Sequence, residues 1–396
     1  MRNRSERNQP NAMVLSLYRD LGIVPKDSRD DNHNVTSEDT ASYKVVSKGN
    51  FVINKMKAWQ GSMAVSEYDG IVSPAYYVCS FTRDVNKRYI HYLLRDASYK
   101  PEYMRLSTGM RIGQWDLNID DFLRIKAIIP PMDEQQRIAD YLDGKCGEID
   151  ALIALQEQMI AQLTDYKQSV ITEAVTKGLN PDAQLVPSGI DWIGDIPKGW
   201  KVCRIKDLFF LRTGTTPKAF EQGLDGDELV NWFTPSDVSE MNCELKASER
   251  HLSKNVVEAE GIRLNPAGSL IFVGIGASAG KIGYALVEGY SNQQITMLVP
   301  KQSCFSKYSY YYMIADRGRI RDNAFFTTLP IINNSYLSGV KILLPPLSEQ
   351  RAIASYLDAK CGEIDALIAM KRQKIETLKE YKKSVIYEAV TGKTEV

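Results

Sequence analysis

Residues 129–154 read I-P-P-M-D-E-Q-Q-R-I-A-D-Y-L-D-G-K-C-G-E-I-D-A-L-I-A, and residues 344–369 read L-P-P-L-S-E-Q-R-A-I-A-S-Y-L-D-A-K-C-G-E-I-D-A-L-I-A. The match continues without a gap, so that residues 129–178 align with residues 344–393. Roughly three positions in five are identical over this length, which chance does not produce. The chain therefore contains an internal duplication.

Each copy predicts one long helix. The Pro-Pro pairs at 130–131 and 345–346 cannot lie inside a helix, so we expect each pair to end an incoming strand and to set the helix start. Asp133, with Gln136 three residues later, resembles a capping pair, and Ser348 stands in the same place in the second copy.

Apolar residues then recur at helical spacing along both copies. They are Ile138, Leu142, Ile149, Ile153, Ile160, Leu163, Val170 and Ala174, and then Ile353, Leu357, Ile364, Ile368, Ile375, Leu378, Val385 and Ala389. No glycine or proline interrupts either copy after Gly147 and Gly362. About 40 helical residues would extend roughly 60 Å. This pattern favours a coiled-coil-like pair that acts as a spacer. Two amphipathic helices within one globular core are the alternative.

The segments between the helices are rich in short β-like runs and turn residues, which predicts an α+β fold. They differ far more than the helices do, yet a common order survives. Residues 49–53 correspond to 268–272, Gln60–Met63 to Ala279–Ile282, and Lys87–Tyr92 to Ser306–Tyr311. We predict a first domain at 1–128, a central helix at 129–178, a second domain at 179–343 and a C-terminal helix at 344–396. Two domains of one fold with divergent surfaces suit a protein that reads two unlike half-sites.

Composition excludes several classes of protein. Lys plus Arg and Asp plus Glu both number 49, so the net charge gives no support to a nucleic-acid partner, and any DNA contact must come from local basic patches. No apolar run reaches the roughly 20 residues of a membrane span, and the N-terminus lacks the apolar stretch of a signal peptide, so we expect a cytoplasmic protein without a membrane partner. The six cysteines form no Cys-x-x-Cys pair and the three histidines are scattered, so no metal site is predicted.

Motifs for chemistry are also weak. A DNA amino-methyltransferase would need Asp or Asn before Pro-Pro and an aromatic residue after it, and neither Pro-Pro pair fits. Residues 272–276 read F-V-G-I-G and mimic a cofactor turn, and residues 274–281 resemble a phosphate loop with the wrong spacing. A glycine-rich turn between strands explains both better. We therefore predict no catalytic residue and no cofactor of the chain's own.

The motifs P-P-x-x-E-Q, I-A-x-Y-L-D and I-D-A-L-I occur in both copies, at Pro130–Asp143 and Pro345–Asp358 and onward. Together with the segments Ser188–Trp200 and Lys57–Tyr76, they make the chain resemble the specificity subunit of a type I restriction–modification system. The resemblance implies two target-recognition domains joined by antiparallel helices with pseudo-twofold symmetry. Each domain would read one half of a split, asymmetric site in double-stranded DNA. The helices would set the gap and dock two modification (methyltransferase) subunits, which bind S-adenosylmethionine, and a restriction subunit can add to these.

One departure concerns the first domain. The second domain opens with Trp192–Val202 and a following apolar run, whereas the first enters at Met13-Val-Leu-Ser-Leu, opposite Val230-Asn-Trp-Phe-Thr. The amino-terminal edge of the first domain is thus expected to be missing, on the order of 50 residues against the other half. A truncated or recombined subunit that acts mainly as a protein-binding adaptor is therefore a competing interpretation, and a methyltransferase–specificity fusion is another.

Residues that bind DNA are expected in loops rich in Lys, Arg, Asn, Gln and small polar groups. In the first domain the candidates are Lys55, Lys57, Trp59, Gln60, Thr108, Arg111 and Gln114. In the second domain they are Arg212, Thr215, Thr216, Lys218, Lys281, Arg319, Arg321 and Asn323. The competing interpretation is that Trp59 packs in the core and that the lysines are solvated surface. On the helices, Glu134-Gln135 and Glu349-Gln350 either meet the modification subunit or cap the helices, and capping is favoured.

Overall fold

A computed structural model describes residues 1–9, 11–19, 21–28, 40–111, 114–191, 193–218, 228–239, 243–322, 325–326 and 330–396. The chain divides into two compact units. Unit 1 comprises Met1–Gln158 and Lys371–Val396, and unit 2 comprises Met159–Met370. Each unit therefore holds one β-rich domain together with one segment from each long helix.

The first half of the chain forms ten strands, four helices and three short 3₁₀ turns within its described residues. The strands are β1 (Arg2–Arg4), β2 (Leu15–Tyr18), β3 (Gly22–Pro25), β4 (Lys44–Val46), β5 (Phe51–Asn54), β6 (Met63–Val65), β7 (Gly70–Val72), β8 (Tyr76–Ser80), β9 (Ser107–Arg111) and β10 (Gln114–Leu117). The helices are α1 (Lys87–Arg95), α2 (Lys100–Arg105), α3 (Ile119–Phe122) and α4 (Met132–Lys177), and the 3₁₀ turns are Lys26–Ser28, Lys55–Gln60 and Ala97–Tyr99.

The second half forms fourteen strands, six helices and one 3₁₀ turn within its described residues. Its strands are β11 (Leu185–Pro187), β12 (Asp195–Pro197), β13 (Lys201–Arg204), β14 (Phe209–Thr213), β15 (Leu229–Phe233), β16 (Cys243–Leu245), β17 (His251–Ser253), β18 (Leu270–Val273), β19 (Ile282–Ala285), β20 (Tyr290–Ser291), β21 (Ile295–Pro300), β22 (Phe325–Phe326), β23 (Pro330–Ile331) and β24 (Lys341–Leu344). Its helices are α5 (Ile205–Leu208), α6 (Lys254–Ala259), α7 (Ser306–Ala315), α8 (Arg317–Asp322), α9 (Asn334–Gly339) and α10 (Leu347–Val390), with one 3₁₀ turn at Pro235–Asp237.

The main sheets of the two domains share one strand order. Unit 1 has β1-β8-β5-β6, and unit 2 has β14-β21-β18-β19 with β16 added at the edge. The hairpins agree in register, since Ile53 faces Met63 in unit 1 and Phe272 faces Ile282 in unit 2. The two β-rich segments therefore have one fold, as the sequence predicts.

The first domain begins with a strand that matches β14 of the second domain. Strand β1 pairs with β8 as β14 pairs with β21. Val14 forms a parallel bridge with Ile71, as Trp232 does with Tyr290, which agrees within one residue with the predicted alignment. Strand β1 is therefore the counterpart of β14 in the first domain. The equivalence of β1 and β14 could not be recognised from sequence, because β1 reads R-N-R whereas β14 is mainly apolar.

The predicted capping pairs are wrong. Helix α4 begins at Met132 and α10 at Leu347, which places Asp133 and Ser348 inside the first turn. Buried glutamines hold the helix starts instead. The Nε2 of Gln135 donates to the carbonyl of Pro130 at 2.7 Å, and the Nε2 of Gln350 donates to the carbonyl of Pro345 at 2.8 Å.

The same glutamines tie each helix to its β-rich domain. Gln135 Oε1 accepts from the backbone N–H of Asn86, and Gln350 Oε1 accepts from that of Phe305, both at 2.9 Å. The two glutamines are therefore buried at the helix starts, which argues against the alternative that they meet a partner.

A tyrosine forms a second joint in each unit. Tyr92 Oη donates to Asp143 at 2.8 Å in unit 1, and Tyr311 Oη donates to Asp358 at 2.6 Å in unit 2. Burial, together with the adjacent carboxylate, raises the pKa of both phenols. Both tyrosines therefore stay protonated and donate at physiological pH.

The long helices pack antiparallel within each unit. In unit 1, Lys382 contacts Asp150 at 2.7 Å, while Arg137 reaches the carbonyl of Val396. In unit 2, Lys167 contacts Asp365 at 2.6 Å. The apolar stripe predicted from the sequence forms the shared cores, including Leu142 with Val385 in unit 1, and Val170 with Leu357 in unit 2. The α+β class and the antiparallel, coiled-coil-like helix pairing are confirmed.

Candidate nucleic-acid interface

In unit 2 the segment that follows β14 lies against the start of β21. The N–H of Thr215 donates to the carbonyl of Ser291 at 2.8 Å, and Thr216 Oγ1 hydrogen-bonds the side chain of Gln293. The N–H of Lys218 donates to the carboxylate of Glu260 at 2.9 Å. The hydroxyls and the lysine are exposed, so this ordered backbone presents polar side chains to solvent.

A glycine makes this close approach possible. A Cβ on Gly214 would overlap the carbonyl oxygen of Asn292 and the Oγ of Ser291. Any larger residue would push the Thr215–Lys218 segment outward. The close backbone approach at this surface therefore requires glycine at position 214.

The glycine-rich turn between β18 and β19 continues the same surface. Gly276 lies 3.6 Å (measured from an ideal Cβ) from Nε2 of Gln294, which neighbours Gln293. Gly280, at φ +87°, lies 3.4 Å by the same measure from Cβ of Arg321. Lys281 follows directly. Thr216, Lys281 and Arg321 therefore lie on or beside these loops, which we call the unit 2 loop surface.

A cavity of about 330 Å³ opens beside this surface, lined by Arg212, Thr215 and Arg263. The Arg212 guanidinium donates to the carbonyl of Leu264 at 3.2 Å, which holds it at the rim. Asn265 and Ser291 also line the cavity, and each keeps a buried oxygen without a hydrogen-bond partner among the described residues. Two cations and unsatisfied polar atoms suit a phosphate or the polar edge of a base.

In unit 1 the equivalent turn is the 3₁₀ segment Lys55–Gln60, capped by Asn54, whose Oδ1 accepts from the N–H groups of Met56 and Lys57. Trp59 packs edge-on against Trp115 of β10, with ring centroids 5.2 Å apart. The β9–β10 hairpin and this turn therefore form one surface, which we call the unit 1 loop surface.

Individual side chains of the unit 1 loop surface differ in freedom. Lys57 is exposed, while Lys55 Nζ lies 4.6 Å from the ring centroid of Tyr77. Gln60 hydrogen-bonds Arg19. Thr108 is exposed on β9. Trp59 is half-buried against its partner ring. It is therefore neither a fully buried core residue nor a fully exposed residue of a DNA-binding loop.

The described residues include buried cysteines but no group of side chains suited to a metal ion. Burial raises the pKa of Cys79, Cys304 and Cys361 to about 11, so these thiols stay protonated and unreactive near neutral pH. The described ranges hold no group of three or more His, Cys, Asp or Glu side chains suited to a metal ion. Within the same ranges, no helix is both long and apolar enough for a membrane span.

Comparison with known proteins agrees with this geometry. The family model for the type I restriction modification DNA specificity domain matches residues 11–165 and 197–380, well over half of the chain. The chain belongs to this family. It is a specificity subunit of a type I restriction–modification system, and recognition of DNA is its function.

Two archaeal relatives span most of the chain. The putative type I restriction enzyme MjaX specificity subunit of Methanocaldococcus jannaschii is 25% identical over 381 residues, covering 91% of this chain and 82% of that protein. The MjaVIII specificity subunit of the same organism is 25% identical over 327 residues, covering 77% and 70% respectively.

A solved structure shows the same fold. It is described as the structural basis underlying complex assembly and conformational transition of the type I R-M system. It superposes with a TM-score of 0.71 at 16% identity, over 98% of this chain and 94% of that chain.

The loop surfaces of this specificity subunit gather most of the predicted DNA-binding residues, but not all. Arg319 pairs with Asp316 at 2.8 Å and lines a separate cavity with Tyr336 and Lys341. Burial raises the pKa of Asp316, and the adjacent Arg319 guanidinium lowers it. Arg319 therefore stabilises a buried carboxylate. Asn323 lies outside the described residues. The backbones of Arg111 and Gln114 lie in β9 and β10, and their side chains lie outside the described part of the chain.

Four further residues belong to these surfaces and are absent from the sequence-based prediction. Trp115, Arg19, Arg263 and Gln293 contact predicted residues or line the cavity beside them. Trp115 follows Gln114 directly and had a signal, because aromatic residues stack on bases. The other three become neighbours only through tertiary folding.

Gly214→Ala is expected to lower the free energy of unfolding by about 2–3 kcal/mol, because the new methyl group overlaps backbone oxygen atoms. Thermal unfolding of the purified chain measures this. Gly339→Ala is the control, since a methyl group there would meet no atom within 4 Å among the described residues around it. Equal stability of the two variants would contradict the close approach described for position 214.

Proposed function

We propose that this specificity subunit has no active site of its own and that each of its β-rich domains reads one half of a bipartite, asymmetric site in double-stranded DNA. The carrying observation is that two domains whose main sheets share a four-strand order present different loop surfaces. Unit 2 offers a cationic cavity with Arg212 and Arg263, whereas unit 1 offers a tryptophan pair beside Lys57. Different chemistry on one scaffold supports reading of two different half-sites.

The long helices are proposed to set the distance between the half-sites. Each is a single α-helix, of 46 residues in α4 and 44 residues in α10. The matched joints at Tyr92–Asp143 and Tyr311–Asp358 fix each domain on its helix segments. A rigid spacer of this kind would make the gap between half-sites a property of helix length.

Exposed apolar side chains on the helices support docking of two modification subunits. In unit 1 these are Leu152, Leu155 and Tyr381, and at the repeat-related positions of unit 2 they are Leu367, Met370 and Tyr166. Large exposed apolar groups mark interaction sites. Because the set occurs once in each unit, two copies of one partner are expected to bind.

The modification subunits would bring S-adenosylmethionine and the methyl-transfer chemistry, so that this chain needs no cofactor. A restriction subunit can join the same complex. All of these steps act on DNA in the cytoplasm.

The decisive experiment compares the purified chain alone with the chain plus its modification subunits. We expect methylation of a bipartite site only by the complex. Methylation by the chain alone would indicate a fused methyltransferase and would overturn the proposal. Assembly with the modification subunits but no DNA binding in a gel shift would indicate the protein-binding adaptor instead.

Loss of cations from the unit 2 loop surface is expected to weaken binding mainly through phosphate contacts. For the Lys281→Ala, Arg321→Ala double variant in the complex, we expect a 10- to 100-fold loss of affinity. The slope of log K against log salt is negative, and its magnitude should decrease by about 2. The reason is that two fewer phosphate contacts release fewer counterions on binding. Lys206→Ala, an exposed lysine on α5, is the control. An unchanged salt slope in the double variant would remove these two residues from the interface.

A further inference from the structure

A cavity of about 490 Å³ lies within unit 1, between the β-rich domain and its helix segments. The domain contributes Arg19, Arg95 and Lys100 to the lining, and the helices contribute Asp150 and Lys382. All of the lining residues fall within 1–158 and 371–396, so unit 1 alone forms the cavity. Its volume is within the roughly 300–1,000 Å³ of sites that bind small molecules.

The repeat-related position of unit 2 is filled by side chains. Tyr310 stands where unit 1 has His91, and it is 0% exposed, with its ring centroid 5.3 Å from that of Tyr311. Lys167, the counterpart of Lys382, is also buried. In unit 1, His91 and Lys382 are only half-buried. The fold therefore does not require this cavity, since the smaller imidazole leaves the space that a phenol fills in unit 2.

The domain side of the cavity also carries a cation that unit 2 lacks. Arg95 is the last residue of α1 and stands where α7 has the buried, apolar Ile314. Its guanidinium contacts Nε2 of His91 and the carbonyl oxygen of Arg19. Burial, and then the Arg95 charge, lower the pKa of His91 to about 3, so the imidazole is uncharged at neutral pH. Arg95 is thus held among the lining residues beside a neutral ring.

Lys100 and Arg19 add two further cations. The aliphatic chain of Lys100 passes over Gly61, whose ideal Cβ position lies 3.3 Å from Lys100 Cε. Arg19 donates to the side-chain oxygen of Gln60. Within the described residues, neither Arg19 nor Lys100 pairs with a carboxylate. Two cations without a counter-charge in this part of the chain favour an anionic ligand.

The acidic lining residues do not compensate these cations, because they already have partners. On the helix side, Asp143 pairs with Arg88, and Asp150 pairs with Lys382 at 2.7 Å. On the domain side, Asp96 is buried and caps the short 3₁₀ turn that follows it. The cavity therefore keeps an excess of positive charge on the domain side.

The rest of the lining includes apolar and aromatic groups, among them Leu21, Tyr92 and Ile386. Cations beside apolar groups suit a molecule that joins a phosphate to a ring. We propose that the cavity binds a free organic phosphate of mononucleotide size, with the phosphate at Arg95 and Lys100 and the ring against the apolar groups. This site is additional to the DNA-binding surfaces, because a duplex is too wide to enter a cavity of this volume.

The test titrates the full chain with AMP, GMP, CMP and UMP in an isothermal calorimeter. We expect at least one of them to bind once per chain, with a Kd on the order of 10–100 µM. The corresponding nucleoside should bind at least tenfold more weakly, because it lacks the phosphate. Absence of saturable binding by all four up to about 5 mM, or equal binding of nucleoside and nucleotide, would overturn the proposal.

The duplication supplies a variant that closes the cavity. His91→Tyr introduces the residue of unit 2 and should abolish nucleotide binding, while circular dichroism checks the fold. Lys100→Ala removes a half-buried cation and should weaken binding about tenfold. Lys87→Ala is its control, since this exposed lysine of α1 does not line the cavity. Equal affinity of the Lys100→Ala and Lys87→Ala variants would contradict the proposed phosphate position.

A phosphate of the DNA backbone is the competing occupant. We expect Lys100→Ala, in the complex with modification subunits, to leave the salt dependence of DNA binding unchanged. A decrease of about 1 in the magnitude of the slope of log K against log salt would assign Lys100 to DNA and overturn the proposal. Bipartite recognition is measured separately, by methylation, so its failure is distinguishable from failure of the nucleotide site.

Discussion

Lys167→Glu is expected to lower the free energy of unfolding by about 3–5 kcal/mol, because it places a carboxylate at a buried position beside the half-exposed Asp365. Lys167 is 1% exposed and its Nζ lies 2.6 Å from Asp365, which joins α4 to α10 within unit 2. A second carboxylate at this depth must be either protonated or repelled. Urea unfolding of the purified chain measures the loss.

The duplication supplies the control for this variant. Lys382 pairs with Asp150 at the repeat-related position of unit 1, but it is 29% exposed. Lys382→Glu should therefore cost only about 1 kcal/mol, since water screens the pair. Adding Asp365→Lys to Lys167→Glu should recover part of the lost stability. If both single variants lost the same stability, burial of Lys167 would not be the cause.

Leu142→Ala and Leu357→Ala are each expected to cost about 2–5 kcal/mol, because each removes a fully buried side chain from a helix–domain core. The residues are repeat equivalents in different units. The two losses should therefore be similar in size, and should add in the double variant because the residues belong to separate cores. Differential scanning calorimetry of the single and double variants measures both effects.

Met132→Ala and Leu347→Ala are the matched controls, since both side chains are exposed at the helix starts. We expect each to change stability by no more than about 0.5 kcal/mol. A large loss at Met132 and a small loss at Leu142 would mean that the apolar stripe does not face the core as described.

The helices were predictable because a 3.6-residue period reports directly on packing. The apolar stripe from Ile138 to Ala174 is buried where the sequence places it. The exceptions are three half-buried residues, Ile153, Ile160 and Leu163. The helix starts were harder to predict. Asp133 resembles a cap in sequence, but the buried side chain of Gln135 fixes the chain through contacts with Pro130 and Asn86 that only tertiary structure shows.

The DNA-binding residues remain a prediction, and the structure shows only which of them lie on neighbouring loops. The turn at Lys55–Gln60 and the segment at Thr215–Lys218 both carry polar side chains next to β-strands, and the structure brings each next to a second loop. Arg319 shows the limit of this reasoning. Its charge suggests DNA, but its carboxylate partner Asp316 lies three residues earlier and is buried.

The sequence also could not predict that residues 126–129 are exposed and form no strand. K-A-I-I before the first Pro-Pro pair resembles K-I-L-L before the second, so both predict a strand. A strand needs a partner, however, and only residues 341–344 have one within the described chain. Local sequence sets the tendency, and the neighbouring strand decides the outcome.

Methylation mapping tests the central claim most directly. DNA modified by the chain with its modification subunits is sequenced, and then compared with DNA modified after residues 179–343 are replaced by the corresponding domain of a relative. We predict a two-part motif in which the exchange alters one part and leaves the other part unchanged. A single continuous motif, or a change in both parts, would contradict reading of separate half-sites by the two domains.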